Sequence, residues 1–172
     1  MRTGFLLTCG TLALLAQSPA GGMKWTAPPG WQALPGDGQM RAATYKVPPA
    51  AGDSQGADCV VYFFGQGQGG TVEANIDRWK AQFSSAGKPA QGAVAKKTVH
   101  NLKVTTVDVS GEYSGMGGPM SKGKAAPGYR LMGAIIEGPR DNNLFVKFTG
   151  PAKTIAANQA KFESLIASFD KQ

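Results

Sequence analysis

Histidine and cysteine are almost missing from this 172-residue chain, which holds one His, His100, and two Cys, Cys9 and Cys59. Nucleophilic catalysis by a hydroxyl or thiol needs a base held beside the nucleophile. Any such enzyme would have to use His100, with Cys59 as its thiol. Cys59 stands in Asp58–Gly65 (DCVVYFFG), the most apolar strand-like stretch, where a small buried cysteine is ordinary. His100 stands beside Asn101 at an expected turn. The spacings that bind metals are missing too: there is no CxxC, no HExxH and no Asp-rich calcium loop. Asp108, Ser110 and Glu112 share a strand face by parity, but ~13 Å separates the two carboxylates at ~3.3 Å per residue. That is too far for one ion, and a solvated face is the reading. No catalytic residue, metal or cofactor is assigned.

Long apolar runs are also missing. Phe5–Ala16 is uncharged but shorter than the ~20 residues that cross a hydrocarbon core. Arg2 before it and Ser18-Pro19-Ala20 after it complete the three-part build of a secretory signal, with cleavage expected after Ala20. Residues 1–20 are thus read as a signal peptide, and the mature chain as periplasmic or extracellular. Two rival readings are weaker. Leu6-Leu7-Thr8-Cys9 faintly matches a lipoprotein box but has too few residues before it, and a start at Met23 would leave a cytoplasmic protein. After cleavage Cys59 is the remaining cysteine, so no internal disulfide is expected.

Acidic residues are scarce: 11 Asp and Glu stand against 18 Lys and Arg, a net charge of +7. Loss of Arg2 leaves 17 against 11, or +6. Apart from Lys96-Lys97 and Lys122-x-Lys124 the basic residues are scattered, which favours solubility and weak attraction to anionic surfaces. No basic helix or aromatic-interleaved strand points to nucleic acid.

What is present is a regular alternation of elements. The lead-in over 21–39 holds Pro28-Pro29-Gly30, Pro35 and Gly36-Asp37-Gly38, which exclude helix. Trp25 and Trp31 should pin it to the domain, with a short strand at Lys24–Ala27. Met40–Val47 and Asp58–Gly65 read as strands, the second apolar on both faces and therefore internal. Gly65-Gln-Gly-Gln-Gly-Gly70 precedes a helix as phosphate loops do. It lacks the lysine and Ser/Thr of a nucleotide loop and reads as a flexible connection.

The clearest element is a helix over Thr71–Phe83. Val72, Ile76, Trp79 and Phe83 recur at i, i+4, i+7 and i+11, which stacks them on one stripe. Thr71 serves as N-cap, Glu73 complements the dipole, and Gly87 ends the segment. Ala93–His100 and Leu102–Tyr113 follow as strands. In the latter, Leu102 and Val104 are even while Val107, Val109 and Tyr113 are odd. Such a switch requires a bulge near Thr105-Thr106 or a change of covered face. Ser114–Gly128 is a loop, and Tyr129–Glu137 and Asn143–Thr149 form a hairpin across 138–142. A last helix is expected from Pro151 to Phe169, with Ile155, Phe162, Leu165, Ile166 and Phe169 buried.

Too few helices separate the strands for a parallel doubly wound sheet. The expected class is α+β: a single domain over 40–172, with a central antiparallel sheet of about six strands and two main helices packed against it. The phrases ANIDRWKAQF (74–83), FVKFTGP (145–151) and FESLIASF (162–169), in this order of elements, resemble small exported bacterial proteins of the PsbP/Mog1-like fold. The resemblance spans most of 24–170 and implies an α/β/α sandwich with a non-enzymatic accessory or binding role. It does not carry over the photosynthetic or Ran-related work of the named members, because the matching motifs are not here.

Two surface features are candidate binding sites. Asn75, Arg78 and Gln82 lie beside the helix stripe at i, i+3 and i+7, where Arg78 either forms a recognition edge or snorkels over the core. Met116, Met120, Lys122 and Lys124 ride on the long loop, a functional tether or simple disorder. The sequence therefore reads as an exported, monomeric binding or accessory protein without catalytic activity. Its partner is an unidentified envelope protein or anionic surface, not nucleic acid, and it has no stable membrane span. The alternative is a thiol or hydrolase-like enzyme using Cys59 and His100. Intact-mass measurement of the protein from its source is expected to show a chain beginning at Gly21. A mass beginning at Met1 or Met23 would contradict export.

Overall fold

The computed structural model describes residues 17–35, 40–115 and 125–172. Strands β1 (Gln17–Ala20) and β2 (Met23–Thr26) pair across Gly21-Gly22, both at positive φ. Then follow β3 (Gln32–Leu34), β4 (Arg41–Val47), β5 (Ala57–Phe63) and helix α1 (Val72–Lys80). Strands β6 (Phe83–Ser85), β7 (Lys88–Pro89), β8 (Gly92–Val99), β9 (Leu102–Tyr113) and β10 (Ala126–Glu137) come next. A 3-10 turn at Pro139–Asp141 joins β10 to β11 (Leu144–Pro151), and α2 (Ala152–Ala157), α3 (Gln159–Ala167) and β12 (Asp170–Lys171) close the chain.

The main sheet is antiparallel and nine-stranded, in the order β3-β4-β5-β11-β10-β9-β6-β7, with β8 also paired to β9. A separate three-stranded sheet runs β1-β2-β12. The sheet is thus larger than the expected six strands. The additions β3, β6 and β7 are two or three residues long, too short to carry a period-two pattern.

The helices number three among the described residues, not two. The expected closing helix breaks at Asn158 (φ −111°, ψ 9°), whose side-chain amide donates to the Thr154 carbonyl at 3.0 Å. A side chain competing for a backbone acceptor is a common cause of such breaks. Helix α1 stops at Lys80, short of the expected Phe83, because Phe83 opens β6 and pairs with Tyr113. Thr71 caps α1 as expected, its hydroxyl accepting from the Ala74 N–H at 3.1 Å.

Each face of the main sheet has its own apolar cluster. One gathers Tyr45, Cys59, Val61, Phe148, Ile155, Phe162 and Leu165 under α2 and α3, with Trp25 and Trp31 folded onto it. Trp25 stacks on Phe169 with ring centroids 5.1 Å apart and donates its indole N–H to the Tyr45 hydroxyl at 2.9 Å. The lead-in is therefore anchored by its tryptophans and contributes β2 and β3. Strand β1 occupies residues upstream of the expected cleavage point; β12 remains on the other edge of β2.

The other face holds Ile76, Trp79, Phe83, Val107, Val109, Leu131, Ile135 and Phe145 under α1. The parity switch in β9 is explained here. Its pairing with β10 runs without a shift from Lys103 to Gly111, so there is no bulge at Thr105-Thr106. Leu102 and Val104 join the first cluster, and Val107 and Val109 the second. The covered face changes along an unbroken strand.

Trp79 binds α1 to the sheet at Gly133. A Cβ added there would stand 2.5 Å from the indole ring, closer than side chains tolerate without backbone movement. Gly133→Ala is expected to lower unfolding free energy by about 1–3 kcal/mol. Urea denaturation measures this, and an unchanged midpoint would show that Trp79 does not need the gap.

Candidate functional site

Helix α1 has nine residues and roofs only part of its face. Beyond it, the outward residues of β4, β5 and β11 remain open and line a cleft. Side chains alternate along a strand, so Phe145, Lys147 and Thr149 of β11 point to this side, as do Asp58, Val60 and Tyr62 of β5. A narrow end of about 450 Å³ lies beside α1 and is lined by Tyr62, Phe64, Arg78, Trp79 and Phe145. A wide end of about 640 Å³ opens toward Tyr113, Tyr129, Gln55 and Thr149. Arg41, Tyr62 and Lys147 line both ends.

Lys147 is the chemical centre of this cleft. It lies opposite Val60 of β5 and Gly133 of β10 and is only 6% exposed. Its ammonium donates to Gln82 Oε1 at 2.6 Å and to the Tyr113 hydroxyl at 3.2 Å, and stands 5.4 Å from the Tyr113 ring centroid. Among the described residues no carboxylate pairs with it; the ion pairs there are Lys46–Asp58, Lys80–Asp77 and Arg130–Asp108. An ammonium removed from water without a counter-charge is disfavoured. Burial accordingly pulls Lys147 down to about 8. Burial first, and then the neighbouring Tyr62 and Tyr129, raise the Tyr113 phenol above its ordinary range.

Aromatic rings frame the lysine. Tyr113 stacks on Tyr129 with centroids 5.6 Å apart, and Tyr62 on Phe64 at 5.8 Å. The Arg41 guanidinium lies 6.0 Å over the Tyr62 ring. Thr149, next on the same face of β11, has a buried hydroxyl with no hydrogen-bond partner among the described residues.

The helix-borne candidates converge on this cleft, in different roles. Asn75 is buried; its amide donates to the Gly69 and Thr71 carbonyls at 2.8 and 2.9 Å and so ties the loop to the helix. Its oxygen accepts from Arg78 Nη1 at 3.0 Å, which orients that guanidinium along the cleft edge. Gln82 lies past the end of α1, buried, and accepts from Lys147. Lys122 and Lys124, with Met116 and Met120, lie outside the described residues.

The glycine connection before α1 is ordered by backbone bonds from Gly67 N–H to the Asp141 carbonyl at 2.9 Å and from Gln68 N–H to the Gly65 carbonyl at 3.1 Å. Gly69 is required there: at φ 94°, an added Cβ would stand 2.6 Å from the Phe145 ring.

Cys59 and His100 are not brought into one site. Cys59 is fully buried under α2 and α3, where burial, and then Asp58, raise its thiol far above the ordinary value. His100 sits in the β8–β9 turn at φ 45°, with its Nδ1 2.9 Å from the Phe169 carbonyl. Asp108 accepts from Arg130 Nε at 2.8 Å, so it is engaged in an ion pair. Among the described residues no group of three or more metal-ligating side chains exists.

The residues that sequence reasoning did not single out are Lys147, Arg41, Tyr62, Tyr113 and Tyr129. One signal was present. In Leu144-Phe-Val-Lys-Phe148, a charge interrupts an apolar strand on the face shared with Phe145, which marks either an exposed edge or a site.

No protein-family profile matches the chain, and no curated protein matches it in sequence. Among solved structures, it superposes on the solution structure of cyanobacterial PsbP (CyanoP) from Synechocystis sp. PCC 6803 with a TM-score of 0.55. That match covers 96% of this chain and 98% of that one at 11% identity. The Saccharomyces cerevisiae Ran-binding protein Mog1p superposes with a TM-score of 0.48, over 87% of this chain and 89% of that one at 10% identity. The fold is PsbP-like, an antiparallel sheet covered by helices.

The depressed Lys147 has a thermodynamic consequence. In the unfolded chain this lysine stays charged up to 10.5, whereas in the fold it loses its proton near 8. Folding therefore carries a penalty below pH 8 that fades as pH rises toward 10, on the order of 2–3 kcal/mol in full. Lys147→Met removes the group, so the stability difference between variant and wild type is expected to shift in favour of wild type from pH 7 to pH 10. Parallel denaturation curves whose difference stays constant over that range would contradict the burial of an unpaired ammonium.

Proposed function

We propose that the protein is an exported accessory or binding module that holds its ligand in the cleft between α1 and the open face of β4, β5 and β11. The observation that carries this reading is Lys147, an enclosed ammonium on an internal strand with no acidic partner among the described residues. Burying such a group costs stability without serving the core, and strongly perturbed groups in clefts mark functional sites. The cleft also has the size and composition of a binding site: mostly apolar walls with a few converging polar groups.

Export rests on the tripartite pattern of the first twenty residues. Among the described residues no helix is long and apolar enough to cross a membrane. A thiol enzyme would need Cys59 exposed and ionised, and its burial in the opposite cluster works against both.

The test is photocrosslinking in the source cells, with p-benzoylphenylalanine placed at Tyr62, which lines both ends of the cleft, or at Lys96 on the exposed outer strand β8. The Tyr62 variant is expected to yield an adduct, read by intact mass, that the Lys96 variant lacks. Equal labelling at the two positions, or none at Tyr62, would overturn the cleft as the binding site.

A further inference from the structure

Resting on that reading of the cleft, we infer the chemical class of its occupant: a small organic acid, its carboxylate on Lys147 beside the Arg78 edge and its apolar body in the narrow end. Three independent features converge on this class. The first is charge. Lys147, Arg41 and Arg78 all line the narrow end, and among the described residues no acidic side chain lines it. Asp58, at the wide end, is engaged by Lys46 at 2.7 Å. A ligand anion would give Lys147 the counter-charge that the described residues do not supply, and charge-assisted hydrogen bonds in such enclosed sites are strong.

The second feature is shape. The narrow end measures about 450 Å³, within the range of small-molecule sites. Its walls are rings: Phe64 meets Phe145 with centroids 5.4 Å apart at 59°, and Tyr62 lies parallel to Phe64. Such walls favour a flat or branched apolar body. The third feature is an unused donor. The buried Thr149 hydroxyl has no partner among the described residues and lies on the same strand face as Lys147. Its position lets it donate to an acceptor entering from the wide end.

The groups facing Lys147 set the expected pH response. They are Arg41 from β4, Tyr62 from β5, Arg78 from α1, Tyr113 from β9 and Tyr129 from β10, with Asp58 and Lys46 paired at the outer rim. Burial first, and then Tyr62 and Tyr129, hold Tyr113 protonated beyond its ordinary range, whereas burial lowers Lys147 to about 8. The pH response expected between 7 and 9.5 is therefore that of Lys147, the group whose proton the fold brings into this range.

Calorimetric titration of the mature protein with naphthoate, naphthamide and acetate tests the inference. Naphthoate is expected to bind at least about tenfold more tightly than naphthamide, which has the body without the charge, and than acetate, which has the charge without the body. Its affinity should fall by about tenfold or more from pH 7 to 9.5. Lys147→Met should remove the preference for the acid. Arg78→Met, at an exposed position, should weaken naphthoate by about threefold or more and naphthamide little.

Equal binding of naphthoate and naphthamide, or an affinity flat across that pH range, would overturn the acid and leave the cleft reading intact. An acetylated tripeptide ending in Phe that binds tenfold tighter than naphthoate would replace the small acid with a polypeptide C-terminus. Failure of every probe, alongside crosslinking at Tyr62, would likewise overturn the inference alone.

Discussion

The contact between Trp79 and Gly133 governs the functional face. A tryptophan on a nine-residue helix packs against a strand position that has no side chain. That contact fixes how close α1 comes to the sheet and where along β10 it sits. Ile76 and Phe83 fill in around it. The chain leaves the helical path after Lys80 and enters β6, whose pairing with the end of β9 starts at Phe83 and Tyr113. The cleft is the area that a short, firmly anchored helix leaves uncovered.

This arrangement explains how an ammonium is tolerated on an internal strand. Lys147 lies across from Gly133, so the gap that admits Trp79 also brings the lysine under the edge of the helix. Gln82, just past the end of α1, supplies one acceptor and Tyr113, at the end of β9, another. Both are neutral. They satisfy hydrogen bonds but do not offset the charge, and a buried ion without an opposite partner is among the least favourable features a small domain can carry. The opposite face follows other priorities: tryptophans, phenylalanines and aliphatic side chains pack under α2 and α3, and polar side chains such as Thr154 are hydrogen-bonded there. Stability is concentrated on one face and the polar, incompletely compensated chemistry on the other.

Much of this architecture was legible in the sequence. The 3.6-residue stripe of Ile76 and Trp79, the alternation in β4 and β9, the internal character of β5 and the β10–β11 hairpin all follow from patterns within ten or twelve residues. The strand count was underestimated because β3, β6 and β7 are defined by their pairing partners, not by any periodicity of their own. Helix α1 was read too long because Phe83 continues the apolar stripe, and the stripe cannot show that its backbone pairs with Tyr113. On the helix, Asn75, Arg78 and Gln82 were visible as a polar row, and the fold brings all three to the cleft edge. The lysine they border was not visible. Tyr62, Tyr113, Tyr129 and Lys147 lie far apart in the chain and meet only through the strand order β5-β11-β10-β9, which is a property of the assembled sheet.

The central claim is that Lys147 is an enclosed ammonium with no acidic partner among the described residues, and its own titration reports on this most directly. Lysine side-chain carbon chemical shifts followed against pH in the isotopically labelled protein, with Lys147→Arg to assign the resonance, would measure it. The account predicts a midpoint near 8 for Lys147 in the free protein, moving upward when an organic acid occupies the cleft. A midpoint at the ordinary lysine value in the free protein would contradict it, showing that the side chain reaches water or an acidic partner and that the cleft is not built around an unmet charge.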